Sequence, residues 1–478
     1  MTDNIKSSLV YRFFAAIGNW FGEHWKNSLI VTAFLKVKPE EQLTGSSLFF
    51  RFFSRIRDAW AALFAKLKLN VLFRDSIFSM PFVWALPAVV LAPLIPTMAV
   101  LALVLMGFGT TLVCLGVHPE KRLQGGAINR YIFLYAILYL TATFTSVTVS
   151  GSLFIGLLTS AFILFVFVLE FSVDSYGKLK ILVEGLVAAG LLVALYGVYQ
   201  HYFGTSGTET WIDEDMFSDI SSRVYSTLQN PNVLSEYLLL VIPLAAACTL
   251  AAKSWLKKAG YFAAFCVMCA CMIFTYSRGG WLGLLFAAFV FMILLDRRTI
   301  FLMILGAVAL MIISPETIID RFSSIGNLSD SSTSYRVSIW MGVLSMLKDY
   351  WFTGIGPGTE AFNMVYPPYS YNTIAAPHSH NLYLQIICDT GICGIILFAI
   401  IIIVFIRTTC SALSREQDRT AKLLQISSLS GIGGFLVQSM TDYSFYNYRV
   451  MLMFWVYLSL STIFCRMDRL RGQEKGVN

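Results

Sequence analysis

Charge is what this chain has least of. Asp, Glu, Lys and Arg make up 13% of its 478 residues, where an ordinary soluble domain carries about 25%, and 57% of the residues are hydrophobic. A soluble globular fold is thereby excluded. Acidic residues within or beside the apolar runs are few, Glu170, Glu184 and Glu236 among them, whereas transport through the bilayer calls for polar groups at several depths. Internal repeats that would signal the inverted halves of many transporters are also missing. Most of the nine cysteines (Cys114, Cys248, Cys266, Cys269, Cys271, Cys388, Cys393) lie within apolar runs and none in the long loops, so structural disulfides are not expected. Cys266 and Cys269 have C-x-x-C spacing without a second pair, and read as small buried hydrophobes. No basic, apolar and small-residue cleavage pattern opens the sequence, and no secretory signal peptide is expected.

Present instead are long apolar runs. About 20 such residues cross the roughly 30 Å hydrocarbon core as a helix, and the runs predict twelve spans, at 76–94, 97–115, 131–148, 151–171, 181–199, 232–251, 259–275, 281–295, 299–314, 381–406, 423–441 and 449–465. The fold class is all-α and polytopic. The net charge of +7 is spread over short loops instead of gathered on one surface, so nucleic acid is not a partner. With a cytoplasmic N-terminus, every second loop faces inward and holds basic residues, from Lys121, Arg122 and Arg130 to Arg466, Arg469 and Arg471. This divides the chain into an N-terminal segment (1–75), a membrane domain (76–465) with outer loops at 200–231 and 315–380, and a basic tail (466–478). In the N-terminal segment Phe49, Phe52, Phe53, Ile56, Trp60, Leu63, Phe64 and Leu67 recur at helical spacing. They suit either a membrane surface or packing on cytoplasmic helix ends.

Four features could carry chemistry, all at the outer ends of helices. Arg223 precedes Asn230-Pro231-Asn232, where the asparagines serve as a helix cap or as substrate contacts. Tyr276-Ser277-Arg278-Gly279-Gly280 is a charged break between two apolar helices. Its arginine can grip phosphate oxygens with a bidentate fork or snorkel to headgroups, and its glycines would let a bulky anion approach the backbone. Tyr335-Arg336 begins an amphipathic helix over 335–350, and Arg336 could pair with Asp330 or Asp349 or provide a second anion contact. His378-Ser379-His380-Asn381 brings two of the five histidines to the mouth of a span. Either imidazole could take a proton from a sugar hydroxyl, and no further ligands with zinc-like spacing accompany them. Aromatics around 351–371 suit either sugar stacking or anchoring at the interface.

From about 223 to 406 these motifs, with Trp340, Gly354-Ile355-Gly356-Pro357-Gly358, Gly391 and Gly394, resemble the O-antigen ligase and O-antigen polymerase superfamily. The resemblance implies a fold similar to polyprenyl-donor (GT-C-like) glycosyltransferases, an extracytoplasmic site in a bacterial cytoplasmic membrane, and no metal or cofactor. It implies transfer of a glycan from a polyprenyl-pyrophosphate carrier to a hydroxyl of a glycan, lipid or protein, among membrane lipids. Arg278 and Arg336 would hold the pyrophosphate and His380 would activate the acceptor. Arg223, Asn232, His378, Gly279, Gly280 and Tyr335 would complete the substrate contacts. A transporter or flippase of lipid-linked glycans is the alternative.

Overall fold

The computed structural model describes residues 48–121, 126–204, 223–299 and 330–467, with isolated positions between 301 and 323. Most of the expected span at 299–314, the start of the polar run before Asp330, the aromatic stretch from Tyr11 to Trp25 and the tail beyond Met467 lie outside the described residues. The chain divides into two compact units, Met1–Ile56 and Arg57–Asn478, and the membrane bundle belongs to the second. Among the described residues the regular structure is helical: α1 (Leu48–Lys66), α2 (Leu69–Phe73), α3 (Pro81–Val90), α4 (Thr97–Val117), α5 (Asn129–Phe144), α6 (Val149–Ser172), α7 (Tyr176–Phe203), α8 (Pro231–Ala251), α9 (Trp255–Phe274), α10 (Arg278–Leu295), α11 (Ser331–Tyr350), α12 (Thr359–Val365), α13 (Leu382–Arg415), α14 (Arg419–Gln438) and α15 (Tyr448–Phe464).

Seven of these, α4, α6, α7, α8, α9, α10 and α13, are long and apolar enough to cross a membrane. The protein is a multi-pass membrane protein. Helix α8 is buried almost throughout, whereas α9 and α10 bury little of their apolar surface in protein. Side chains such as Phe262, Leu285, Phe286 and Ile293 point outward, and a contiguous apolar surface of this kind is stable only against lipid.

The run expected to span at 76–94 is broken into α2, a 3-10 turn at Ile77–Ser79 and α3, with Pro81 at the first turn of α3 and Pro87 inside it. At 1.5 Å per residue, α3 covers only about half the hydrocarbon thickness. Ahead of it, the Trp60 indole N–H donates to the Leu112 carbonyl at 2.9 Å and Phe64 is buried. This part of α1 therefore packs on the end of α4, while Leu63 and Leu67 stay exposed.

The helix starts at the site end are capped by short polar side chains. Asn230 accepts from Asn232 N at 2.8 Å, Ser277 from Gly280 N at 3.3 Å, Asp330 from Thr333 N at 2.9 Å and Asn381 from Leu384 N at 3.0 Å. Each satisfies a donor that a helix N-terminus leaves free. Between α10 and α13 the chain folds into a cap with its own core of Ile339, Val343, Met346, Phe362 and Tyr366.

The cap locks into the bundle through a break in α13. Gly391 sits at φ 69°, ψ −168°, a region open essentially only to glycine. The Cys388 carbonyl takes the Ile355 N–H at 2.6 Å and the Ile392 N–H goes to the Trp351 carbonyl at 2.9 Å, so the turn after α11 satisfies backbone groups the break exposes. A Cβ at Gly391 would also run into the Phe352 carbonyl. Gly391→Ala should therefore cost at least the roughly 1–3 kcal/mol of that backbone conformation, read as a lowered thermal midpoint in detergent. Gly260→Ala, in α9 with open space around the glycine, should leave the midpoint unchanged or raise it slightly.

Candidate active site

The starts of α8, α10, α11 and α13, the end of α14 and the 439–447 loop meet around one cleft. Its cavity volume is about 120 Å³ and it opens to the outside. Arg223, Asn232, Arg278, Gly279 and Arg336 line it, as do Tyr276, Trp340, Gln438, Thr441 and Asp442.

Each arginine is held differently. Arg223 is buried, donating from Nε to the Thr275 carbonyl at 2.9 Å and from Nη2 to Asn232 Oδ1 at 3.0 Å. It thus ties the segment before α8 to the end of α9. Of the two asparagines, Asn230 is the helix cap and Asn232 the arginine's partner. Arg278, the first residue of α10, bonds Asp330 Oδ1 at 2.6 Å. Asp330 is fully buried. Burial favours its neutral form, but the Arg278 hydrogen bond and charge, with the bonds from Thr333, outweigh that and hold its carboxyl below the usual range. Arg336 therefore does not take Asp330. It bonds Ser332 one turn back and stands 4.0 Å from Asp442, with its Nε buried and unbonded.

The two histidine rings lie together, their centroids 4.2 Å apart, but they are held differently. His380 adopts a left-handed backbone, φ 48°, and its Nδ1 lies 3.5 Å from Asp442 Oδ1, an ion-pair distance longer than a good hydrogen bond. Its carbonyl accepts from the Trp340 indole at 3.4 Å. His378 is buried behind it, and its Nδ1 accepts the His380 backbone N–H at 3.2 Å. Neither imidazole is part of the cleft lining, and His380 reaches it through Asp442. Tyr335 also stays off the lining, with its ring centroid 5.7 Å from that of His380 in an edge-on arrangement and its hydroxyl on the Ala375 carbonyl at 3.1 Å. Gly280 is packed against Ser235 of α8, where a Cβ would lie 2.6 Å from the serine Cβ. It serves helix packing, and of the two glycines only Gly279 faces the cleft.

Burial pushes the His378 imidazole down to about 3, with the neighbouring His380 adding to the shift. The unfolded value is about 6.5. As pH falls between these values the unfolded chain takes up a proton that the folded chain refuses, so stability declines through that window. His378→Asn, which keeps an acceptor for the His380 N–H, should flatten this decline in thermal midpoints measured from pH 7.5 to pH 5. His378→Ala leaves that N–H orphaned and should cost about 1–3 kcal/mol.

Asp442 lies beyond the sequence motifs. Burial favours its neutral form, but the facing His380 imidazole and the charge of Arg336 outweigh that and hold it well below the usual carboxylate range. The 439–447 loop carrying it is strapped to the start of α13, with Asn381 Nδ2 donating to the Met440 carbonyl at 2.7 Å and the Leu382 N–H to the Ser439 and Asp442 carbonyls at 3.0 and 3.1 Å. The one cue in the sequence is a carboxylate in a short polar break between two apolar runs at the end where the arginines sit. Chemically, the cleft presents guanidinium groups to an anion beside an imidazole whose Nδ1 is matched to a carboxylate.

Residues 263–399 match the family model described as O-antigen ligase. That stretch contains Arg278, Gly279, Gly280, Tyr335, Arg336, His378 and His380, and excludes Arg223, Asn232 and Asp442. No curated protein matches the chain.

Proposed function

We propose that the protein transfers a glycan from a polyprenyl-pyrophosphate carrier to an acceptor hydroxyl at the extracytoplasmic face of a bacterial cytoplasmic membrane, a reading supported by the match of residues 263–399 to the O-antigen ligase model. The observation that carries this is the convergence of Arg223, Arg278 and Arg336 in one cleft beside the His380–Asp442 pair. The orientation, with both termini cytoplasmic, is supported by the basic residues at the opposite helix ends, including Lys121, Lys178 and Lys257.

In this reading the guanidinium groups of Arg278 and Arg336 hold the pyrophosphate. Asp442, 3.5 Å from the His380 Nδ1, favours the tautomer that carries its proton there, which leaves Nε2 to accept one. The acceptor oxygen forms its bond to the anomeric carbon as the bond from that carbon to the phosphate oxygen breaks. The hydroxyl proton passes to His380 and the electron pair leaves with the pyrophosphate. Charge develops on that leaving group, so fixed arginines stabilise the transition state more than the ground state. Attack opposite the leaving group inverts the anomeric centre. The arginines supply the charge stabilisation a divalent cation would otherwise give, and the reaction is metal-independent.

The test is purified protein in vesicles with a polyprenyl-pyrophosphate oligosaccharide and candidate glycan, lipid and protein acceptors, with EDTA in one arm. Joining without translocation, unaffected by EDTA and with inverted configuration, is expected. Translocation without joining would establish the flippase reading instead, a retained configuration would overturn single in-line attack, and loss of joining in EDTA would require a cation.

A further inference from the structure

Asp389 is a buried carboxyl on α13 that the transfer step does not touch. It stands in the segment between the start of the helix and the break at Gly391. Two donors reach it, Gln385 Nε2 at 2.9 Å and the Tyr139 hydroxyl of α5 at 3.1 Å, and Tyr443 lines the same small cavity. A buried ionisable group so fully bonded in a membrane bundle is a functional candidate by default. Its surroundings lead in two directions. The Gln385 amide, with its nitrogen turned to Asp389, presents its oxygen to the Ser379 N–H at 2.8 Å, the residue before His380. Tyr443 is the residue after Asp442, and its N–H bonds the Asp442 carboxylate at 2.9 Å.

We infer that Asp389 is a positioning residue: by accepting from Gln385, which in turn accepts from the Ser379 N–H, it fixes the loop that presents His380 to Asp442. The acceptor-only carboxylate matters because it dictates which way the Gln385 amide points. Once the amide turns over, its NH₂ group meets the Ser379 N–H, donor against donor, and the His380 loop is released. The inference rests on the proposed role of His380 as the base.

The test compares the wild type, Asp389→Asn, and the double variant Asp389→Asn/Gln385→Glu in vesicles with the polyprenyl-pyrophosphate oligosaccharide. In the double variant the polarity is exchanged. The carboxylate introduced at position 385 can accept from the Ser379 N–H and from the amide introduced at position 389, while the oxygen of that amide accepts from Tyr139. Asp389→Asn should lower kcat by about 10- to 100-fold, since small misplacements of a reacting group cost up to about 10²-fold, with the donor KM unchanged. The double variant should recover to within about threefold of the wild type. In parallel, the rate at which diethyl pyrocarbonate modifies His380, read by mass spectrometry, should shift in the single variant and return in the double. That rate reports the loop whether or not His380 is the base, and His380→Ala, run alongside, reports the base. Wild-type kcat in Asp389→Asn, an unchanged modification rate, or a double variant that misfolds or stays as slow as the single one overturns the inference.

Discussion

Replacing Arg278 with alanine is expected to lower kcat by about 10²–10³-fold, the loss typical of removing one preorganised donor from a developing negative charge, equivalent to about 2.7–4 kcal/mol. The guanidinium is fixed before substrate arrives, because Asp330 grips it from the buried side at 2.6 Å and α10 begins at this residue. Little reorganisation is then left to the moment of reaction. Lysine should not substitute, since a point charge cannot reproduce the planar fork. Arg336→Ala should act in the same direction with a smaller loss, because its partner Asp442 stands at 4.0 Å and its Nε is unbonded. The double variant should fall short of the product of the two, as groups sharing one charge do not act independently. The check is single-turnover transfer in vesicles with saturating donor, on variants whose thermal midpoints stay near the wild type. Full activity in both would move the pyrophosphate elsewhere.

How much of this was legible in the sequence depends on the range of the interaction concerned. Seven of the expected spans were, because each is a local run long enough to cross lipid. The one that broke, at 76–94, carries its reason locally too, in Pro81 and Pro87. Arg278 was visible as a charge with almost no loop around it, and Arg336 and His380 through the motifs beside them. What could not be read were the partners. Asp330 is an ordinary cap in sequence, and only folding brings Arg278 to it across 52 positions. Gly391 and Gly354 are each recognisable as glycines, but the turn that fills the break in α13 is a contact between distant segments. The same holds for the two histidines. Alternation in H-x-H alone gives no means of choosing between them, and only the fold shows that His380 stands 3.5 Å from Asp442 while His378 is buried behind it. Asp442 had no motif, because a single carboxylate in a polar loop acquires meaning only when His380 arrives beside it.

That pairing carries the other large effect. His380→Ala should lower kcat by about 10²–10⁴-fold, the usual contribution of a positioned base, with the donor KM little changed because the arginines remain. Asp442→Asn should also lower kcat, by about 10- to 10³-fold. An amide at that position no longer enforces the Nδ1–H tautomer, and the present separation of 3.5 Å leaves room to tighten when substrate is bound. The variant carries a second signature in stability. The folded carboxyl of Asp442 is held below its unfolded value of about 3.9, so its contribution is present above that value and is lost as pH falls through the lower folded one. The advantage of the wild type over Asp442→Asn in thermal midpoint should therefore be level from pH 7 to about pH 5 and shrink only below about pH 4. A fall in kcat without that pH signature would mean that Asp442 acts on the substrate directly. Undiminished transfer in His380→Ala would remove the imidazole from the reaction and leave the acceptor hydroxyl to attack without a base, with the arginines alone carrying the catalysis.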